Sequence, residues 1–312
     1  MLNAAVVTIT MNPAIDKSTV VERIVPEAKL HCAAPRYEAG GGGINVSKAL
    51  RRLGTDSMAI FPAGGHNGNM LRELLIREGI AGNCIAAGAE TRENFIVLET
   101  FTNYQYRFNT KANPVEPVVA SQCLDLLTGL PFKPGFLVVS GSLPEGVPEQ
   151  FYADLAKWSA AAGVKFILDT SGPPLFLAAD EQVFLLKPNL AELSQLAGKH
   201  LSTKEEAATA AREIILSRNC ALILVSLGAE GALLVTKEGQ DFVAAPEVKK
   251  QSSVGAGDSM VAGMVFGLIN NHSLRECIRF AVACGTAATM NMGTELFHVE
   301  DVKKLYSGLM RE

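Results

Sequence analysis

Phe136-Leu137-Val138-Val139-Ser140-Gly141-Ser142 is a short apolar run that breaks off into small polar residues. Four apolar positions are too few for a buried helix, and the Ser-Gly-Ser that follows ends the run, so the stretch reads as a buried strand. The same grammar recurs along the chain. Met58-Ala59-Ile60-Phe61 leads into Pro62-Ala63-Gly64-Gly65, and Phe166-Ile167-Leu168 into Asp169-Thr170-Ser171. Val183-Phe184-Leu185-Leu186 leads into Lys187-Pro188-Asn189, and Leu222-Ile223-Leu224-Val225 into Ser226-Leu227-Gly228, with Val6-Val7-Thr8-Ile9 as a further apolar run. Helical patterns over residues 69–78, 149–162, 203–217 and 274–290 lie among them. Strand and helix in alternation predict right-handed crossovers and a mostly parallel α/β sheet covered on both faces. Ligands of such sheets bind at the carboxyl ends of the strands, where these polar and glycine-rich residues fall.

Two segments, 17–38 and 92–110, depart from this pattern. Phe95-Ile96-Val97-Leu98-Glu99 and Tyr104-Gln105-Tyr106-Arg107-Phe108 alternate in character, with Thr102-Asn103 as a hairpin tip. Such alternation predicts a small sheet with one covered face, a lid or a dimer surface. Neither a low-complexity linker nor an internal repeat divides the 312 residues, so one domain over 1–312 with an inserted lid is expected. A net charge of −4 offers no field for nucleic acid or an acidic membrane. Six scattered cysteines without a C-x-x-C pair, and five histidines without a cluster, fit reduced thiols in a cytoplasmic protein better than disulfides or zinc. No signal-peptide pattern opens the sequence.

Several constellations carry possible chemistry. Val254-Gly255-Ala256-Gly257-Asp258-Ser259 opens an apolar helical segment, so backbone N–H groups converge where an anion binds well, with a carboxylate beside them. Asp258 there is either a helix cap or a base that takes a proton from an attacking hydroxyl while the N–H groups hold developing charge. Gly40-Gly41-Gly42-Gly43 before Ile44-Asn45 lets a helix pack tightly on a sheet, or a sugar lie on the backbone with Asn45 and Asp16 as hydroxyl partners. Asn189 and Glu192, three apart, form either a capping box or an oxygen pair for hydrated Mg²⁺. Around Ser226, Gly228 and Gly231 the backbone either cradles phosphates or turns a hairpin. Arg92, Arg107 and Lys29 belong to the lid segments, as solvated edge charges or as a phosphate clamp. A dinucleotide fingerprint and a Walker P-loop are both missing.

Taken together, Gly40-Gly41-Gly42-Gly43-Ile44-Asn45, Ser140-Gly141-Ser142-Leu143-Pro144, Lys187-Pro188-Asn189-Leu190-Ala191-Glu192 and Val254-Gly255-Ala256-Gly257-Asp258-Ser259 resemble, in this order, the ribokinase-like (PfkB) sugar kinases. Pro13-Ala14-Ile15-Asp16, Ile60-Phe61-Pro62-Ala63-Gly64-Gly65 and Tyr104-Gln105-Tyr106-Arg107-Phe108 resemble the branch acting on fructose 6-phosphate, and the branches acting on fructose 1-phosphate and tagatose 6-phosphate share much of this. The resemblance implies a three-layer α/β/α sandwich with a β-sheet lid joined to a second lid in a homodimer, and MgATP as phosphoryl donor. It implies Asp258 as base, with Gly255, Ala256 and Gly257 as anion hole. Asp16, Gly41, Gly42, Gly43, Asn45 and Ser142 would line the sugar, and Arg92, Arg107 and Lys29 its phosphate. Lys187, Asn189, Ser226, Gly228 and Gly231 would serve the nucleotide, and Asn189 with Glu192 the magnesium. A potassium site would fall at Ser252, Val254, Ala288, Asn291 and Gly293. Glu295 and Lys250 depart from the pattern, which carries arginine and serine there.

Overall fold

Along Phe136–Ser140 successive side chains fall into two separate cores: Leu137 and Val139 pack on one side, Phe136 and Val138 on the other. A strand buried on both faces must lie in the middle layer, and the computed structural model, which describes residues 6–311, places it there. The chain forms β1 (Val6–Ile9), β2 (Ala14–Val21) and β3 (Arg36–Gly40) before its first helix, α1 (Gly42–Arg52). Then come β4 (Ser57–Ala63), α2 (Gly65–Arg77), β5 (Ala81–Ala86), β6 (Arg92–Glu99) and β7 (Tyr104–Asn109). Regular alternation follows through α3 (Val118–Thr128), β8 (Phe136–Ser140), α4 (Phe151–Ala162), β9 (Lys165–Asp169), α5 (Pro173–Ala179) and β10 (Val183–Leu186). It continues with α6 (Leu190–Ala197), α7 (Lys204–Ser217) and β11 (Cys220–Ser226). A hairpin of β12 (Ala232–Val235) and β13 (Gln240–Val243) precedes α8 (Ala256–Ile269), α9 (Leu274–Thr289) and α10 (Val299–Leu309).

Nine strands form the main sheet in the order β13-β12-β11-β10-β9-β8-β1-β4-β5, parallel except at the β11-β12-β13 end. One face is covered by α3 to α7, through residues such as Cys123, Leu155, Leu175, Leu193 and Ile214. The other is covered by α1 and α8 to α10, through Leu50, Met264, Ile278 and Leu309. Burying each Leu or Ile side chain favours folding by roughly 1.5–3 kcal/mol, so both layers are held by the same strands. Edge strands β5 and β13 lack the long apolar runs of the central strands, and their sequences alone do not reveal them. No helix among the described residues is long and apolar enough to cross a membrane. All six cysteines are free; Cys32 is exposed and Cys84 half-buried, so only four of the six are the buried thiols expected.

The second sheet has the order β3-β2-β6-β7, with β2 and β6 parallel from Ala14 opposite Arg92 to Val21 opposite Glu99. Its strands differ from the expected 17–38 segment: β2 begins earlier, at Ala14, and residues 22–35 lie outside any strand. The β6-β7 hairpin falls within 92–110, and Asn103 at its tip adopts the left-handed region at φ 58°. Ile15 and Ala39 at the root of this sheet pack with Ile44 of α1 and Leu71 of α2, whereas Phe101, Tyr104 and Phe108 stay exposed.

Helices α8 and α9 cross so closely that a Cβ on Gly263 would lie 2.8 Å from Ala281 Cα. Gly308 in α10 has open space instead. Gly263→Ala is therefore expected to lose about 1–3 kcal/mol of stability and Gly308→Ala to gain about 0.4–1 kcal/mol, as read from urea unfolding midpoints.

Candidate active site

Ser142, Lys187, Asn189 and Ser226 lie at or just after the carboxyl ends of β8, β10 and β11. Gly255, at φ 72°, turns the chain into α8, whose first N–H groups have no intrahelical partner. Lys187 Nζ lies beside them, 3.4 Å from where a Cβ on Gly257 would stand. Asp258, in the first turn, does not cap the helix. Its carboxylate accepts hydrogen bonds from Asn45 Nδ2 at 2.9 Å and Ser140 Oγ at 3.0 Å. Withdrawal from water and the neighbouring Asp169 carboxylate push the pKa of Asp258 up to about 6, against the opposing pull of Asn45, Ser140 and Lys187. That is a carboxylate ionised at neutral pH and still basic enough to take a proton.

Asn45 reaches Asp258 because the glycine run lets α1 lie against the strand ends. A Cβ on Gly42 would collide with Ser140 Oγ, and one on Gly43 would lie 2.5 Å from Ile9 O. A Cβ on Gly40 would collide with the Asp16 carboxylate, and Gly41 holds φ 116°. Tight packing of the helix on the sheet is thus present in the glycine run. It leaves Asn45 Oδ1 buried and without a hydrogen-bond partner. A buried acceptor left unpaired is costly, which fits a sugar hydroxyl as its missing partner.

Asp16 and Arg92 face the same cleft from the root of the second sheet. Asp16 accepts from Asn94 Nδ2 at 2.8 Å; burial holds its pKa above the ordinary value although Asn94, Lys48 and Arg92 pull it down. Arg92 donates to Asn12 O at 3.2 Å and to Asn94 Oδ1 at 3.3 Å, while its Nε is buried and unpartnered. Ser142 accepts from Asn12 Nδ2 at 3.1 Å. Arg107 and Lys29 do not join Arg92. Arg107 donates to Ser253 Oγ at 2.8 Å, and Lys29 is exposed in the segment between β2 and β3, with no hydrogen bond or ion pair to the other site residues.

Beyond the end of β10, Asn189 caps α6 in a reciprocal box: Asn189 Oδ1 accepts from Glu192 N, and Glu192 Oε2 accepts from Asn189 N, both at 2.9 Å. Capping leaves the other Glu192 oxygen free, and burial together with Asp169 raises the Glu192 pKa. A carboxylate crowded by a like charge gains by approaching a cation, so this pair fits a hydrated Mg²⁺ shared with phosphates. Among the described residues no cluster of three or more His, Cys, Asp or Glu side chains forms a metal site by itself. A cavity of about 280 Å³ beyond α6 is lined by Asn189, Thr203, Ser226, Leu227, Gly228 and Glu230. Gly231 does not line it; at φ 116° it packs against Val243 and Ala244 of the neighbouring strand end.

Behind the anion hole, Ser252 Oγ donates to Gly293 O at 2.8 Å and accepts from Val254 N at 3.2 Å. Gln251 N at 2.8 Å and Ser252 N at 3.2 Å donate to Thr289 O, so this segment meets the end of α9, while Asn291 Nδ2 donates to Ala287 O and Leu296 O. Hydroxyl and backbone carbonyl oxygens, the donor types these segments offer, are the kind a monovalent cation takes. Glu295 turns its side chain to Arg36 at 3.9 Å and His298 at 3.4 Å, so only its backbone faces inward. Sequence reasoning missed Ser140, although its motif was in view, and Asp169, whose ion pair with Lys187 at 3.0 Å stands at the end of β9. Burial opposes the Lys187 charge, but Asp169 and the other carboxylates hold its pKa above the ordinary value.

The model of the pfkB family carbohydrate kinases matches residues 1–300. The chain is 41% identical over 309 residues to the ATP-dependent 6-phosphofructokinase isozyme 2 of Escherichia coli strain K12, covering 97% of this chain and 98% of that one. The crystal structure of Escherichia coli phosphofructokinase-2 in complex with potassium superposes with a TM-score of 0.93 at 40% identity, covering 98% and 99% of the two chains. The tetrameric inhibited form of that enzyme matches with a TM-score of 0.90 at 39% identity, over 98% and 99%.

Asn45 and Ser140 both stabilise the ionised form of Asp258. Asn45→Ala or Ser140→Ala is therefore expected to raise the Asp258 pKa above its value of about 6, observed by carboxyl-detected NMR titration.

Proposed function

The chain belongs to the pfkB family of carbohydrate kinases, and we propose that it is the ATP-dependent 6-phosphofructokinase of its host, phosphorylating the C1 hydroxyl of fructose 6-phosphate. The observation that carries this reading is the Asp258 carboxylate held by Asn45 and Ser140 at the N-terminus of α8, next to Lys187. Near-full-length likeness to a 6-phosphofructokinase supports the choice of acceptor, as does the unpartnered Arg92 Nε at the sugar side.

In this mechanism the C1 hydroxyl gives its proton to Asp258 as its oxygen forms a bond to the γ-phosphorus of ATP. The bond from that phosphorus to the β–γ bridging oxygen breaks, and ADP leaves. Backbone N–H groups of Gly255, Ala256 and Gly257, with Lys187, offset the charge that builds on the transferring group. Removing one such donor typically costs about 10²–10³ in rate, and a positioned base supplies about 10²–10⁴. Asn45 and Asp16 orient the sugar, and Arg92 holds its phosphate. Asn189 and Glu192 would hold Mg²⁺, which supplies charge neutralisation on the phosphates. Ser252, Val254, Ala288, Asn291 and Gly293 would hold potassium. We also assign the exposed aromatic face of the second sheet, with Tyr104 and Phe108, to a homodimer contact, and the enzyme to the cytoplasm.

Asp258→Asn is expected to lower kcat by about 10²–10⁴ with both substrates still bound, in a coupled assay of ADP release. Retention of near-normal turnover would overturn the assignment. The wild-type rate is expected to be full above pH 7 and to fall as pH drops through about 6, since a protonated Asp258 accepts no proton. Stability runs the other way. A carboxylate whose folded pKa exceeds its unfolded value opposes folding above the folded pKa, and this penalty vanishes below the unfolded one. Above pH 7, Asp258→Asn should therefore melt no lower than the wild type, in a differential scanning experiment.

Arg92→Ala is expected to raise KM for fructose 6-phosphate about 10–100-fold and to leave KM for ATP nearly unchanged, because it removes a charge-assisted bond on the sugar side alone. A turnover panel of fructose 6-phosphate, tagatose 6-phosphate and fructose 1-phosphate tests the acceptor. Faster turnover of either alternative sugar would replace the assignment.

A further inference from the structure

The second sheet is fastened at both of its edges. Its edge strands are β3 and β7, which flank β2 and β6. At the β3 edge, Thr294 Oγ1 donates to Glu38 Oε2 at 2.6 Å. At the β7 edge, Arg107 Nη2 donates to Ser253 Oγ at 2.8 Å. Thr294 and Ser253 lie on two different loops, one after α9 and one before α8, and Ser252 Oγ to Gly293 O at 2.8 Å ties these loops together. Lid edge, loop, loop and opposite lid edge thus form a closed circuit of hydrogen bonds. Ser252 also receives Val254 N, the residue before Gly255, so the circuit touches the segment that sets the anion hole.

The fastenings differ in strength, and at the β7 edge Ser252 Oγ also lies 3.3 Å from Gln105 Oε1, a long contact for a hydroxyl already donating to Gly293 O. Arg107 and Ser253 are exposed, and an exposed contact between a long side chain and a hydroxyl contributes little. The Arg36 to Glu295 ion pair beside the β3 edge is long, at 3.9 Å, and mostly exposed on the arginine side. Thr294 is buried to 1% exposure and donates to a carboxylate. A buried hydroxyl facing a charged acceptor makes a strong bond and, once its partner leaves, an expensive vacancy. Glu38 stands directly opposite Asp16 in the β2-β3 pairing. Whatever seats Glu38 therefore seats the strand pair that presents Asp16 to the sugar.

We propose that Thr294 is a positioning residue: through Glu38 it docks the β3 edge of the lid onto the loop after α9, and so holds Asp16 in place while linking lid position to the loops behind the anion hole. This rests on the sugar-phosphate kinase reading above, because Asp16 matters only if a sugar lies against it. Thr294 touches no reacting atom. Its effect passes through Glu38 to β2 on one side and through Gly293 and Ser252 to Val254 on the other.

The test compares Thr294→Val, which keeps the shape and removes the donor, with Thr294→Ser, which keeps the donor. The valine variant is expected to raise KM for fructose 6-phosphate by about tenfold with KM for ATP within twofold, and the serine variant to restore the wild-type value. Hydrogen exchange on the unliganded protein is expected to quicken in β3 and in residues 291–295 of the valine variant, with the main sheet unchanged. Unchanged KM and unchanged exchange in β3, or an equal loss in the serine variant, would overturn the proposal. If the valine variant does not fold, Glu38→Gln and Glu38→Met replace the pair, since the amide retains an acceptor for Thr294 and the thioether does not. The exchange arm needs no turnover. If the wild type fails to phosphorylate fructose 6-phosphate while exchange in β3 responds as expected, the acceptor assignment falls and the docking role of Thr294 stands.

Discussion

A carboxylate taken partly out of water must be met by donors or give up its charge. Asp258 is met by Asn45 from α1 and Ser140 from the end of β8, and this pair of bonds fixes how three elements converge. Asn45 can arrive only because α1 lies on the strand ends with nothing between, and that closeness demands glycine at positions 42 and 43, where a Cβ would strike Ser140 and Ile9. Glycine in the first turn of a helix is unfavourable by roughly 1 kcal/mol relative to alanine. The loss is accepted because the alternative leaves Asp258 without a donor, which costs about as much again or more. Catalytic geometry and helix packing are here one constraint.

The same logic governs the charges across the cleft. Asp169, Asp258 and Glu192 crowd one region, and each raises the proton affinity of a neighbour. Lys187 is the single protein cation placed among them, paired with Asp169 at 3.0 Å. One ammonium against three carboxylates leaves an excess of negative charge that a divalent cation on a nucleotide would balance. An unliganded site with surplus negative charge also repels a free sugar phosphate less strongly on the Arg92 side, because Arg92 lies with Asp16 at the root of the second sheet, away from that crowd.

The layered sheet was legible because every central strand is an apolar run ended by polar residues, and those ends are the site. Expectations for Asp258, Asn45 and Asp16 rested on motifs, and the structure joins Asn45 and Asp258 although they stand 213 residues apart. What sequence could not decide were matters of partnership. Asn189 and Glu192 fit a capping box and a metal pair equally well on spacing, and the structure shows that the box forms while one Glu192 oxygen stays free. Asp169 follows an apolar strand, where the carboxyl-end rule points, but nothing in its neighbours announces Lys187. For Gly231 the sequence left a phosphate cradle and a hairpin turn equally open, and the close packing of this glycine on the β13 end is invisible along the chain. Residues 22–35, expected to belong to the second sheet, form no strand, although Ala33 N still donates to Val20 O of β2 at 2.9 Å.

A sheet projecting from a larger domain would ordinarily be free to move about its root, but here the root is packed against two helices of that domain. Asp16 and Arg92 belong to the first residues of β2 and β6, beside Ile15 and Ala39, which pack against α1 and α2. Lys48 of α1, buried in this packing, donates to Ala39 O at 3.1 Å and pairs with Glu78 at 3.5 Å. The helix that delivers Asn45 to the base therefore also grips the strand that faces Asp16. Rotation of the second sheet about its root would therefore have to break the contacts of a buried ammonium.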